Sequence, residues 1–318
     1  AGKRIRFHSR GAKTRRGISA FLLSDGPSAH QAYSRSLPYL IVLAGFGVRL
    51  HGLTFQSLWR DEVDALRFAT AGTVSSLTQP GWNGPLYTLL LGYWVKATGT
   101  SEFALRFSSL IAGVALLPLI LWLGRRLFNE RAALAAMAVA ALSSYLVWYS
   151  QELKMYALLC LLGAASFALL HAALREGGFW RWASYVGLTG IMPYVHILGV
   201  LLIPAQVVAY ALNWRQYQPR WRPWLASVAV LTVPYLPLVA WQAPLLVSGF
   251  QTGHPFYPLP TMLSILWRGW GLGIVASVRP WLSVPIALAA VAALWPLRRN
   301  PRTPVGALSC APTKREGA

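Results

Sequence analysis

Three of the nine carboxylates in the 318-residue chain stand together in Trp59-Arg60-Asp61-Glu62-Val63-Asp64. The stretch follows a long apolar run from Leu37 to Leu50 and precedes a chain made mostly of further apolar runs. A carboxylate beside a bilayer is costly unless it is solvated, paired or functional, so a cluster there marks a candidate site. The bland alternative is a solvated loop whose acids pair with Arg60 and Arg67. Carboxylates in such a place can take a proton from a hydroxyl, and a nearby cation can face charge that develops in a reaction.

Two further stretches carry residues of the same kind. Trp148-Tyr149-Ser150-Gln151-Glu152-Leu153-Lys154-Met155-Tyr156 is a short polar turn between apolar runs, with Glu152 and Lys154 two apart. At a membrane boundary such a pair is either solvated or functional. Met192-Pro193-Tyr194-Val195-His196-Ile197-Leu198-Gly199 places one histidine in an apolar segment, where hydrogen-bonded structural histidines outnumber ligands. Arg268 sits within a later apolar piece. Neither a Gly-rich phosphate loop nor an HExxH, CxxC or Ser-His-Asp pattern occurs, which disfavours a soluble nucleotide-binding half.

The elements that must position these residues follow from composition. The chain is 55% hydrophobic and 12% charged, about half the charge of a soluble domain. An all-α polytopic membrane protein is expected. Apolar run lengths place spans near 36–52, 104–124, 131–149, 156–174, 180–195, 197–213, 223–241 and 280–297. Two pieces of about 14 residues, 85–98 and 261–275, are short enough to lie at the interface instead. Asp61 to Thr70 and Leu86 to Thr98, the latter with Pro85 in its first turn, read as juxtamembrane helices. The 242–260 loop reads as an aromatic and proline-rich surface segment.

The formal net charge of +20 reads as cytoplasmic basic loops and affinity for anionic lipid headgroups. Nucleic acid is not the expected partner, because no aromatic pattern accompanies the basic N-terminal stretch. Arg125, Arg126, Arg131, Arg175, Arg181, Arg215, Arg220, Arg222, Arg298, Arg299 and Arg302 are all cytoplasmic if the N terminus is inside, eight helices cross and the two short pieces do not. Asp61, Glu62, Asp64, Glu102 and Glu152 then share the outer face with the Tyr194–His196 turn. Residues 1–36 read as a basic disordered tail, 37–297 as the membrane domain and 298–318 as a second disordered tail. Cys160 and Cys310 suit neither a structural bridge nor a metal site.

Several motifs occur in a fixed order: Asp61-Glu62, Asn83-Gly84-Pro85-Leu86-Tyr87, Ser101-Glu102-Phe103-Ala104-Leu105-Arg106, Leu123-Gly124-Arg125-Arg126-Leu127-Phe128 and Tyr149 through Leu158. Together they resemble bacterial membrane glycosyltransferases of family 39, relatives of protein O-mannosyltransferases and of the lipid A aminoarabinose transferase, over about residues 37 to 297. The resemblance implies a GT-C fold and a chain that ends short of its full-length relatives. It implies a polyprenyl-phosphate-linked sugar donor and a lipid, glycan or protein acceptor outside the cytoplasmic membrane. It matches Asp61 to the first-loop catalytic acid, Glu62 to its partner and Glu152 to the second-loop acid. Lys154, His196, Asn83, Tyr87, Tyr156 and Arg268 are the candidate substrate-binding residues. Relatives more often have Arg at the position of Lys154, and many have His or an acid at that of Asn83.

On this reading Asp61 is the base for the acceptor hydroxyl, and Lys154, then Arg268 or His196, faces the departing phosphate. Asp61 and Glu152 are also candidate ligands for a divalent cation, although no spacing rule demands one. The competing readings are a flippase of lipid-linked intermediates, an O-antigen ligase or polymerase, and a catalytically inactive fragment.

Overall fold

A computed structural model of the chain describes residues 29–72, 84–247 and 257–272. Asn83, the expected 280–297 span, the 298–318 tail and residues 248–256 of the expected 242–260 loop lie outside the described residues, and the ends of that loop, 242–247 and 259–260, are helical. Every regular element among the described residues is helical. The chain divides into two compact units at residue 40. Of the first, the described part is the opening of α1 (Ala29–Leu50), which starts inside the expected 1–36 tail because no Gly or Pro interrupts residues 29–37. The second unit, from Ile41, contains the remainder of α1 and all that follows.

Helix α2 (Arg60–Thr70) begins where the acidic cluster begins. Asp61 and Glu62 in its first turn complement the positive end of the helix dipole. The Trp59 backbone N–H donates to Glu62 Oε2 at 3.2 Å, which satisfies a donor that the first turn leaves open. Helix α3 (Pro85–Thr98) has proline at its first position, as expected. Gly84, just before it, lies against the chain at Tyr194: a Cβ there would run into the Tyr194 carbonyl. The Gly84 N–H also donates to the Val195 carbonyl at 3.1 Å, so the start of α3 is tied to the end of a helix more than a hundred residues later.

Helix α4 (Glu102–Leu127) is capped by Ser101, whose side chain accepts from the Ala104 N–H. Its 26 residues span about 39 Å at 1.5 Å per residue, more than a bilayer core of about 30 Å. Asn129 caps α5 (Glu130–Leu142) in the same way. The expected single span over 131–149 is instead two helices, α5 and α6 (Ser144–Ser150), bent by 57°. The break falls at Ser143, whose backbone is extended and whose side chain accepts from the Leu146 N–H to start α6. Helix α7 (Tyr156–Glu176) turns through Gly177 (φ 70°) and Gly178 (φ 92°) into α8 (Phe179–Val195). The expected 197–213 span divides into a tight turn, Ile197–Leu201, and α9 (Leu202–Leu212). Then come α10 (Trp221–Thr232), α11 (Tyr235–Val247) and α12 (Leu259–Leu272).

Among the described residues, three helical stretches are long and apolar enough to cross a membrane: Glu102–Leu127, Tyr156–Glu176 and Trp214–Pro244. The bent α5–α6 pair makes a fourth if it is one span. One apolar cluster joins α2, α3, the start of α4, the 153–155 turn and Val195. A second joins α4 to α5, and a third joins α7, α8, α9 and α10. Apolar surroundings require polar groups to find partners inside the bundle, and α7, α8 and α9 supply them to one another. Tyr185 donates to Gln206 Oε1 at 2.8 Å, Gln206 donates to Ser166 Oγ at 2.8 Å, and Ser166 and Thr189 hydroxyls meet at 2.6 Å.

Candidate active site

The chain segments that carry the acidic cluster and the Glu152–Lys154 turn are separated by about 90 residues and meet through Glu62. Its side chain is completely buried. Oε1 accepts from Arg106 Nε at 2.9 Å and from the Leu153 backbone N–H at 2.7 Å. Oε2 accepts from Arg106 Nη2 at 2.7 Å and from the Trp59 N–H at 3.2 Å. A carboxylate offers about four lone-pair positions, so Glu62 has none left for a sugar hydroxyl or an ion. Expected beside Asp61 as a reacting group, it is the anchor that binds α2, α4 and the 151–155 turn.

Arg106 is engaged just as fully. Besides its two bonds to Glu62, Nη1 donates to the Leu53 and Gln56 carbonyls at 3.0 and 2.6 Å, and Nη2 to the Ser57 carbonyl at 3.3 Å. A guanidinium has five N–H donors, and all five are placed. One buried bidentate pair therefore shapes the 53–57 loop, starts α2 and seats the second turn.

Asp61 is the next residue on α2, turned outward, and its side chain is 51% exposed. Lys154 Nζ stands 3.7 Å from Asp61 Oδ2, while the lysine side chain is 7% exposed. The turn that presents Lys154 is held from both sides. Its own N–H donates to the Glu152 carbonyl at 2.8 Å, and its carbonyl accepts from Ser109 Oγ at 3.1 Å. The carboxylate is open to a hydroxyl group, and the ammonium beside it offers positive charge to an anion.

Glu152 faces a different neighbour. Its Oε1 accepts from the Trp148 indole N–H at 2.5 Å. Burial pushes its carboxyl up to about 7; the indole bond opposes the rise, and the nearby Glu62 charge adds to it. Together with Trp148, Gln151, His51, Gln56, Trp59 and the Glu62–Arg106 floor, Glu152 lines an open cleft of about 610 Å³.

His196 lies at the end of α8 with extended backbone. Its Nδ1 accepts from the Leu198 N–H at 3.1 Å and so caps the turn that follows. Burial first, and the Lys154 charge second, hold its ring down to about 4, so it is neutral at physiological pH. The Tyr156 ring packs edge-on against the His196 ring at 5.8 Å and against Tyr149 at 4.8 Å. Tyr87 is buried in the same cluster. Its hydroxyl has no partner among the described residues, and burial raises its pKa, with Glu62 and Tyr156 contributing. Asp61, Glu62, Glu152, Lys154, Tyr156, Tyr87 and His196 thus gather at one end of the bundle.

Arg268 does not join them in any described contact. It is exposed on α12 and donates to Ser264 Oγ one turn back, while Gly269 of the same helix approaches the Tyr145 ring. For a divalent cation the donor set fits poorly. Glu62 is saturated, Asp61 faces an ammonium, and among the described residues no three His, Cys, Asp or Glu side chains stand together to hold an ion.

Arg106 and Arg49 were not singled out as site residues from sequence. Arg49 is fully buried and donates to Ser150 Oγ and to the Gly45, Ala140 and Ala141 carbonyls, closing the C-terminal end of α5 beside the bend. The signal for both was available: each is an arginine at the end of an apolar run, where an unpaired charge is costly.

A family model described as dolichyl-phosphate-mannose-protein mannosyltransferase matches residues 80–241. The match runs from the start of α3 into α11 and includes Arg106, Glu152, Lys154 and His196; Asp61 and Glu62 precede it. No curated protein and no solved structure matches the chain.

Proposed function

The chain belongs to the dolichyl-phosphate-mannose-protein mannosyltransferase family, which makes it a membrane glycosyltransferase of mannosyltransferase type, and on that premise we propose its reaction. It transfers a sugar from a polyprenyl-phosphate carrier to an acceptor hydroxyl at the outer face of the cytoplasmic membrane, by a single displacement. The observation that carries this reading is the pair of Asp61, half-exposed, and Lys154, buried, 3.7 Å apart on a base fixed by Glu62 and Arg106.

Asp61 takes the proton of the acceptor hydroxyl as its oxygen attacks the anomeric carbon. The bond from that carbon to the phosphate oxygen breaks at the same time, and its electron pair leaves with polyprenyl phosphate. Lys154 supplies positive charge on the side where the phosphate departs. Polyprenyl phosphate leaves as a stable anion, so the reaction needs no strong acid. Glu62 and Arg106 touch none of the reacting atoms; they hold Asp61 and Lys154 in register. Neutral His196 and Tyr156 close the side of Lys154.

The orientation rests on the arrangement of charge along α4 and α7. Arg125 and Arg126 end α4, and Glu176 ends α7, where Arg126 and Arg181 meet it; Arg106 lies near the start of α4, and Lys154 just precedes α7. The end with the exposed arginines is read as cytoplasmic, so the Asp61 end, whose Arg106 and Lys154 are buried against acids, faces outward.

A single displacement predicts inversion at the anomeric carbon. Purified protein in nanodiscs, given a polyprenyl-phosphate hexose, is expected to yield product of inverted configuration by NMR and to show no turnover with a nucleotide sugar. Product with retained configuration would end the single-displacement mechanism. Transport of intact lipid-linked sugar without cleavage would replace the enzyme by a flippase.

A further inference from the structure

The open cleft over the Glu62–Arg106 pair has an unusual wall. Trp59 is 47% exposed, and Trp148 is partly buried with its indole N–H fixed on Glu152. The side-chain amide of Gln56, the ring of His51, Gln151 Oε1 and the second Glu152 oxygen carry no hydrogen bond among the described residues. Gln151 is held in place because its own Nε2 donates to the Arg49 and His51 carbonyls. Flat aromatic surfaces interleaved with free amide and carboxyl groups match a pyranose, which presents apolar C–H faces and a rim of hydroxyls. A volume of about 610 Å³ leaves room for more than one such ring.

Charge distinguishes which sugar. The permanent cation of the wall, Arg106, has all five donors engaged, and the carboxylates Glu62 and Glu152 lie in the same wall. The Glu62–Arg106 pair cancels in charge, and no lysine or unengaged arginine lines the cleft to neutralise a phosphate. The available ammonium, Lys154, faces Asp61 and does not line the cleft.

We propose that the cleft lined by Trp59, Gln56, Trp148 and Gln151 is an acceptor subsite for a neutral saccharide, so that the acceptor of this chain is a glycan. The assignment rests on the glycosyltransferase reading above. It separates the substrates by charge: the donor phosphate goes to the Lys154 side and the uncharged acceptor sugar to the aromatic side.

The test is binding, measured apart from turnover. Mannotriose, mannose 6-phosphate and a Ser/Thr-rich peptide are titrated into the full chain in nanodiscs and followed by saturation-transfer NMR. Mannotriose is expected to saturate, and mannose 6-phosphate to bind at least tenfold more weakly. Trp59→Ala is expected to weaken mannotriose at least tenfold, Trp59→Phe to restore most of it, and Trp180→Ala, an exposed residue of α8, to leave it unchanged. Absence of saturable mannotriose binding, or equal binding by Trp59→Ala, overturns the subsite. Preference for the peptide at the Trp59 surface overturns it in favour of a protein acceptor. Mannotriose that competes with the polyprenyl-phosphate hexose for one site overturns it in favour of the donor sugar. Donor turnover without saccharide binding leaves the proposed reaction standing, and saccharide binding without any donor turnover leaves the subsite standing alone.

Discussion

Near its start α4 carries Arg106, near its end Arg126, and each meets a glutamate. Arg106 and Glu62 pair at 2.7 Å with side chains 6% and 0% exposed. Arg126 meets Glu176 at 3.6 Å with both side chains 46% exposed, and Glu176 also takes Arg181 at 2.5 Å. Arg126 lies over the Trp122 ring, its centroid 4.4 Å away, in the manner of an interfacial cation. The same two residue types therefore do different things. At the basic end they are a solvated rim, where screening leaves an ion pair worth about 0–1 kcal/mol. At the acidic end desolvation makes each partner depend on the other, and that dependence builds the site.

The comparison can be broken by substitution. Glu62→Gln and Arg106→Met each leave one buried group without its counter-charge, and each is expected to lower folded stability by about 3–5 kcal/mol. Thermal or denaturant unfolding in detergent measures it; a loss below about 1 kcal/mol would place the pair with the surface bridges. Gly84→Ala forces a methyl group into the Tyr194 carbonyl and is expected to cost about 1–3 kcal/mol, as overpacking does. Faster hydrogen exchange at the start of α3 would localise that loss.

A smaller effect separates the two ends by pH. The Glu152 carboxyl lies at about 7 in the folded chain against 4.5 for a free side chain. Between these values the folded state keeps a proton that the unfolded state releases, so stability falls as pH rises through that window. Glu152→Gln should flatten this fall, seen as a shallower decline in melting temperature from pH 5 to 7. An unchanged decline would assign it to other groups. The smallest effect belongs to Glu176→Gln, expected to cost at most about 1 kcal/mol and less at high salt. A larger, salt-independent loss would erase the contrast between the ends.

Much of this was legible before any coordinates. Proline and the acids marked the starts of α3 and α2, and apolar run length located α4 and α7 closely. Putting the basic loops on one side also brought Glu152 toward Asp61. What stayed hidden was division of labour. Asp61 and Glu62 are adjacent and chemically alike in sequence, and only the direction of each side chain leaves one accessible and makes the other an anchor. The bend at Ser143 was hidden too, because an apolar run records hydrophobicity and not the serine cap that restarts the helix. His196 read more readily as a structural residue than as a ligand, and its Nδ1, which accepts from the Leu198 N–H, fits the structural part.

The most direct test is donor turnover compared across the two ends. Wild type, Asp61→Asn and Glu176→Gln proteins would be reconstituted with a radiolabelled polyprenyl-phosphate hexose and an acceptor glycan. Removing a general base typically costs about 10²–10⁴-fold. Transfer should therefore fall by that amount in Asp61→Asn, with folding and insertion intact, and remain near wild type in Glu176→Gln. Equal transfer by wild type and Asp61→Asn would contradict the account, because it would remove the base from the end of the molecule that Glu62 and Arg106 are built to hold.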